Sequence, residues 1–231
     1  MNSRAEKILP GDDLATKHET TGRKGLLVVF CGIDGSGKTT LVNAVQQELD
    51  HLGISSMVFT NHAGSASPYW QSTMLSRRQL EDANIPMPED VDRTLQATEF
   101  LAYARYVLPK LLSQYEIVLS DGYDISKMVY ARVKLNGEVG TAENLLKLAT
   151  DIVQPDLLLY LDVAPETAMI RIHSRGKPRE WNENLDVMRQ AISYFHLFMG
   201  QRSYSRKVDA EKSLNEVKEE AIRIIRSEFN L

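Results

Sequence analysis

Residues 26–40 read Leu-Leu-Val-Val-Phe-Cys-Gly-Ile-Asp-Gly-Ser-Gly-Lys-Thr-Thr, and no other stretch restricts the fold as strongly. Within it, Gly32-x-x-x-x-Gly37-Lys38-Thr39 is a complete phosphate-binding loop motif, which requires a buried strand before it and a helix after it. The apolar run 26–30 supplies the strand. Leu41, Val42, Val45, Leu49 and Leu52 recur at helical spacing and supply the helix. A glycine-rich turn that carried Lys and Thr by chance would lack both flanks.

The residue types suit polyphosphate chemistry. Glycines allow a tight turn that points successive N–H groups at phosphate oxygens, and the following helix adds the positive end of its dipole. Lys38 reaches the terminal phosphates as a point charge, and the Thr39 hydroxyl stands where Mg2+ bridges the β and γ phosphates. The expected ATP and Mg2+ site is therefore Gly32, Gly35, Ser36, Gly37, Lys38, Thr39 and Thr40.

Composition narrows the partners. The 231-residue chain carries a formal net charge of −4 with no block of like charges, which argues against nucleic acid as the main partner. Anions must then be met by local positive charge. The single cysteine, Cys31, excludes an internal disulfide framework and fits a reducing compartment. Residues 1–24 are polar, mix acids with bases and lack the apolar core of a signal peptide, so they read as an extension to a domain spanning 25–231. No apolar stretch approaches the roughly 20 residues of a membrane span, and the cytoplasm is the expected location.

Strands are expected at 55–60, at 116–120 ending on Asp121, at 156–162 and at 206–209. Helices are expected from about Tyr69, over 89–114 with Pro109 as a kink, over 125–133, 141–153 and about 184–204, and from Pro165. A last helix opens with a capping box, Ser213 and Glu216. Strands alternating with helices imply parallel crossovers and a three-layer α/β/α sandwich. The run Asp-Leu-Leu-Leu-Tyr-Leu-Asp at 156–162 is apolar on both faces, as a central covered strand should be.

Taken together, residues 30–40 with Asp34 inside the loop, the stretch 155–175 with Arg171 and Arg175, and Val208-Asp209-Ala210 resemble the thymidylate kinases over nearly everything after residue 25. The resemblance implies a P-loop fold with a five-stranded parallel sheet in the order 2-3-1-4-5, an ATP-dependent transfer to a nucleoside monophosphate such as dTMP or dUMP, and a homodimer formed through helices beside the sheet. The apolar set Phe100, Tyr103 and Val107 would serve that interface or the core. Lys38 would then stabilise the transferring phosphoryl group, Thr39 would hold Mg2+, and Asp121 would support the metal through water. Arg105 matches an arginine that binds the acceptor phosphate, and Arg171, Arg175 and Arg179 fall in or beside the lid. Asp34 occupies the family's loop position, while Leu101, Tyr103, Ser126 and Tyr130 fall on the acceptor side.

The departures also fall on the acceptor side. Gly122 stands where the family places Arg after the motif aspartate, Leu101 replaces a base-stacking Phe, Ala131 replaces a base-reading amide, and 61–65 replaces an arginine-bearing loop. Tyr103, His62, Arg77 and Arg78 are the candidate substitutes. A nucleoside kinase of the same fold would carry Glu just before the loop, where this chain has Cys31, a poor base when buried. Three readings stay open: a nucleoside monophosphate kinase, a kinase for another small acceptor, and a nucleotide-binding regulatory module. Each site residue also has a plainer reading: Asp121 as a solvated strand end, Arg105 as the partner of a neighbouring helix, and the lid arginines as surface charge.

Overall fold

The structure is a computed structural model that describes residues 25–59, 68–176, 178 and 180–231. Strand β1 (Leu26–Cys31) runs into the loop and then α1 (Lys38–His51), followed by β2 (Ser56–Phe59). Three helices follow, α2 (Pro68–Asp82), α3 (Glu89–Tyr106) and α4 (Leu108–Gln114), before β3 (Ile117–Asp121). Next come α5 (Asp124–Lys134), α6 (Thr141–Leu148), β4 (Leu157–Asp162), α7 (Pro165–Ser174), α8 (Leu185–Met199), β5 (Ser205–Asp209) and α9 (Leu214–Phe229). The strands form one parallel sheet in the order β2-β3-β1-β4-β5, as the resemblance implies. Expectations for residues 1–24, for the end of strand two, for the loop with His62 and for Arg179 lie outside the described residues.

Strand register positions the site. Phe30 pairs with Asp121 across β1 and β3, and Cys31 pairs with Tyr160 across β1 and β4, so the loop leaves the sheet level with the carboxyl ends of its neighbours. Ligands of open α/β sheets bind there, where the chain reverses its direction of strand addition. Leu27 to Cys31 and Leu157 to Leu161 are buried, which is the double-faced cover that their continuous apolar runs require. Truncating a core residue such as Leu159 to Ala removes transfer energy and leaves a cavity, a cost of about 2–5 kcal/mol.

Helix limits differ from expectation where a local signal wins. The helix expected over 89–114 divides at Val107, because Pro109 has no N–H to continue the ladder and instead occupies the first turn of α4. The helix expected to reach Val153 ends at Leu148, and the one expected to reach Tyr204 ends at Met199 beside Gly200. The capping box of α9 forms, with the Ser213 hydroxyl accepting from the Glu216 N–H and the Glu216 carboxylate accepting from the Ser213 N–H. Of the apolar set on α3, Phe100 is core and meets Tyr123 edge to face at 4.8 Å, Tyr103 is half-buried, and Val107 is exposed.

Candidate active site

The phosphate loop is built tightly against α7. Gly35 has φ +80°, and a Cβ there would lie 2.5 Å from the Ala168 carbonyl oxygen, so no other residue fits. Gly37 is the N-cap of α1 and provides no side-chain cap, which leaves the first-turn N–H groups for an anion. The Ser36 hydroxyl is buried with no partner among the described residues, a second sign that the loop is completed from outside. The Lys38 ammonium lies along the loop, donating to the carbonyls of Gly32 at 3.1 Å and Ile33 at 3.0 Å, with the Asp34 carboxylate at 3.5 Å. Because β1 and β3 are in register, the Thr39 hydroxyl reaches Asp121 and donates to its Oδ2 at 2.5 Å.

Beyond Asp121 the chain turns sharply. Gly122 has φ +78°, its N–H donates to the Phe30 carbonyl at 2.8 Å, and its own carbonyl accepts from the Ser120 hydroxyl at 2.6 Å. The Tyr123 hydroxyl donates to the Val153 carbonyl at 2.9 Å, and Asp124 pairs with Arg202 at 2.8 Å. These contacts fix the start of α5, which then presents Ser126, Lys127 and Tyr130. The Tyr130 hydroxyl faces Asn182 and Asp34, and burial, reinforced by the Asp34 charge, holds its pKa well above the ordinary tyrosine range. The Asn182 side-chain amide donates to Asp34 Oδ2, so the loop, α5 and the segment before α8 meet at one point.

The lid arginines have different surroundings. Arg171 on α7 donates to the Ala210 carbonyl at 2.8 Å and to the Ser36 carbonyl at 3.4 Å, which brings it onto the phosphate loop. Arg175 pairs with Glu183 at 2.8 Å and so ties the start of the 175–184 segment to its end. Arg179 lies outside the described residues. In that segment Trp181 rests on both α3 and α5: the Lys134 ammonium stands 4.0 Å from its ring centroid, the Arg93 guanidinium 5.7 Å, and the Tyr130 ring packs edge-on at 5.9 Å.

Other sequence candidates point elsewhere. Leu101 is packed in the core, as is Ala131. Arg105 is exposed and pairs with Asp151, in the turn after α6, Nε to Oδ2 at 2.7 Å. Of the candidate substitutes, Arg77 pairs with the buried Asp92, Tyr103 is half-buried against the core, Arg78 is exposed, and His62 is outside the described residues. The Cys31 thiol is buried, and the loss of hydration pushes its pKa up.

Sequence reasoning passed over Arg93, Glu99, Lys127, Trp181 and Asn182. One signal was available: Asp92, Gln96, Glu99 and Tyr103 repeat at helical spacing on α3, a polar stripe that includes two buried carboxylates, Asp92 and Glu99. Asp92 is satisfied by Arg77, Arg93 and Gln96, and those contacts hold its carboxyl below the usual range against the opposing effect of burial. Glu99 is not satisfied, since its Oε1 is buried without a partner. Lys127 is half-buried near Glu99 and Arg93, and desolvation pulls its pKa down to about 8, with Glu99 opposing the fall and Arg93 adding to it.

The family model for thymidylate kinase matches residues 30–221 of this chain. Two similar proteins, each named thymidylate kinase, come from Leptospira interrogans serogroup Icterohaemorrhagiae, serovar copenhageni (strain Fiocruz L1-130) and serovar Lai (strain 56601). Each is 29% identical over 204 residues, which cover 87% of this chain and 94% of the relative.

Proposed function

Because this chain belongs to the thymidylate kinase family, and because its loop pairs Thr39 with Asp121 opposite a Tyr130–Asp34 wall, we propose that it transfers the γ-phosphoryl group of ATP to a nucleoside monophosphate, with dTMP or dUMP as acceptor. The observation that carries this reading is the 2.5 Å contact between Thr39 and Asp121, which gathers a hydroxyl and a carboxylate at the mouth of the phosphate loop. The partnerless Ser36 hydroxyl and the α1 N-terminus without a side-chain cap fit a bound polyphosphate. Thr39 and Asp121 are the residues that would hold Mg2+, which when bound supplies charge neutralisation at the phosphates.

Little covalent chemistry is asked of the chain, because an acceptor phosphate is already a nucleophile at neutral pH. Lys38 moves from the loop carbonyls to the phosphates and neutralises charge on the transferring group. Arg171, already at the Ser36 carbonyl, adds a guanidinium from the lid side, and Arg175 follows when its tie to Glu183 opens. Asp34 faces Lys38 with one carboxylate oxygen and accepts from the Asn182 amide with the other, so Asn182 positions Asp34. Transfer to a nucleoside hydroxyl is disfavoured, since Cys31 occupies the base position as a buried thiol with a raised pKa. The kinase domain spans 25–231, and a lone buried cysteine supports residence in the reducing cytoplasm.

Gly122, in place of an arginine, is the feature that most favours a regulatory module, and with Leu101 and Ala131 it also leaves a different acceptor open. Steady-state transfer from ATP across dTMP, dUMP, dCMP, dAMP and thymidine separates the readings. Transfer to dTMP and dUMP is expected, and slow hydrolysis unaffected by any of the five would overturn the proposal.

A further inference from the structure

Glu99 and Lys127 have no part in the phosphoryl-transfer machinery, yet both are drawn inward between α3 and α5. Glu99 is 4% exposed and its Oε1 is without a partner. The Nε of Arg93, whose terminal nitrogen pairs with Asp92 on the same helix, and the Oγ of Ser126, beside Lys127 on α5, are likewise buried and have no partner among the described residues. Lys127 interacts electrostatically with Glu99 and Arg93, and among the described residues its ammonium makes no hydrogen bond or ion pair. Trp181 covers the set from the third side, in contact with Arg93 and Tyr130. A buried carboxylate oxygen left unpaired is costly, and a fold retains such a group where something else completes it.

The types of these groups define what that is. Two cationic donors and one carboxylate acceptor complement an edge that offers two carbonyl oxygens and one N–H. A phosphate would be repelled by Glu99, and the adenine edge, with one donor and one acceptor, would leave a cation unmatched. We propose that Glu99, Lys127 and Arg93 read the base of the acceptor, with Glu99 accepting from the ring N–H of uracil or thymine and the two cations donating to its carbonyl oxygens. This inference rests on the nucleoside monophosphate kinase reading and adds to it the residues that set base selectivity. They replace the base-reading amide that Ala131, a core residue, does not provide. Cytosine is disfavoured, since its ring nitrogen at that position carries a lone pair toward the carboxylate.

The test compares kcat/KM for dTMP and dCMP in the wild type, Glu99→Gln and Lys127→Met, with KM for ATP and thermal melting measured alongside. The wild type is expected to prefer dTMP by about 100-fold, in the range seen when a buried polar group meets the wrong partner. Glu99→Gln presents an amide that can donate to the cytosine ring nitrogen, so the preference should shrink by about tenfold or more while KM for ATP stays unchanged. Lys127→Met should raise KM for dTMP by about tenfold, leave KM for ATP in place, and carry the test if the Glu99 variant does not fold. A merely structural role would lower activity on both acceptors equally. If the wild type phosphorylates dTMP and the dTMP to dCMP ratio is the same in every folded variant, the base-reading assignment is overturned alone. If the wild type phosphorylates no pyrimidine monophosphate, the parent reading fails and this inference fails with it.

Discussion

Gly122 is the position at which one substitution tests both the backbone and the chemistry. Its φ of +78° lies in the left-handed region, where an L-residue costs about 1–2 kcal/mol. Its backbone hydrogen bonds, to Phe30 and from Ser120, survive any substitution that keeps the turn. Gly122→Ala should therefore lower Tm by about 2–8 °C in a protein of this size, and Gly122→Arg should do the same. Against that strain, a guanidinium beside the acceptor phosphate supplies a charged hydrogen bond worth about 1.5–3 kcal/mol, or about 10- to 150-fold in kcat/KM for dTMP. The Ala variant separates the two effects, since it carries the strain without the charge. The assay is steady-state transfer to dTMP by wild type, Ala and Arg proteins, each first checked by melting. If folded Gly122→Arg is no better than Gly122→Ala on dTMP, the idea that this site lacks only its clamp is refuted. An unchanged Tm in both would refute the strain argument.

Three further outcomes are expected. Lys38→Ala should cut kcat by orders of magnitude with little change in Tm, because its contacts are to loop carbonyls at the rim of the site; near wild-type turnover would reject its role. Asp121→Asn should raise the Mg2+ concentration needed for half-maximal rate by more than it raises KM for dTMP, since the amide keeps a bond from Thr39 but loses the charge; an unchanged Mg2+ titration would count against it. Relative to Lys127→Met, the stability of the wild type should rise with pH between about 8 and 10.5, because the unfolded chain holds the Lys127 proton to a higher pH than the folded one, so losing it favours the fold. From about pH 9 upward the Cys31 thiol, and then Tyr130, Tyr160 and Tyr204, all pushed up by burial, ionise first in the unfolded chain and oppose this rise in both proteins alike. Urea melts of wild type and Lys127→Met at pH 7.5 and 9 check this, and equal slopes in the two proteins would refute it.

The sequence determined the donor half and the frame that holds it. A phosphate loop is contiguous, its backbone does most of the binding, and the flanking strand and helix are written in adjacent residues, so Gly32 to Thr40 needed no tertiary information. The double-faced apolar run at 156–162 and the capping box at Ser213 were legible for the same reason, since each is settled by neighbours in the chain. The proposed acceptor side is assembled from α3, α5 and the segment before α8, which are distant in sequence, and only packing decides which side chains face inward. Leu101 and Glu99 are two residues apart on one helix. Leu101 is in the core, while Glu99 is buried with an unpaired oxygen near Lys127. Arg105, which a motif match assigns to the acceptor, is held in this structure by Asp151, a residue 46 positions away. Local periodicity gives the faces of a helix, but the rotation of that helix against its neighbours is set by the fit of the whole core, and that alone brought Arg93, Lys127 and Trp181 together.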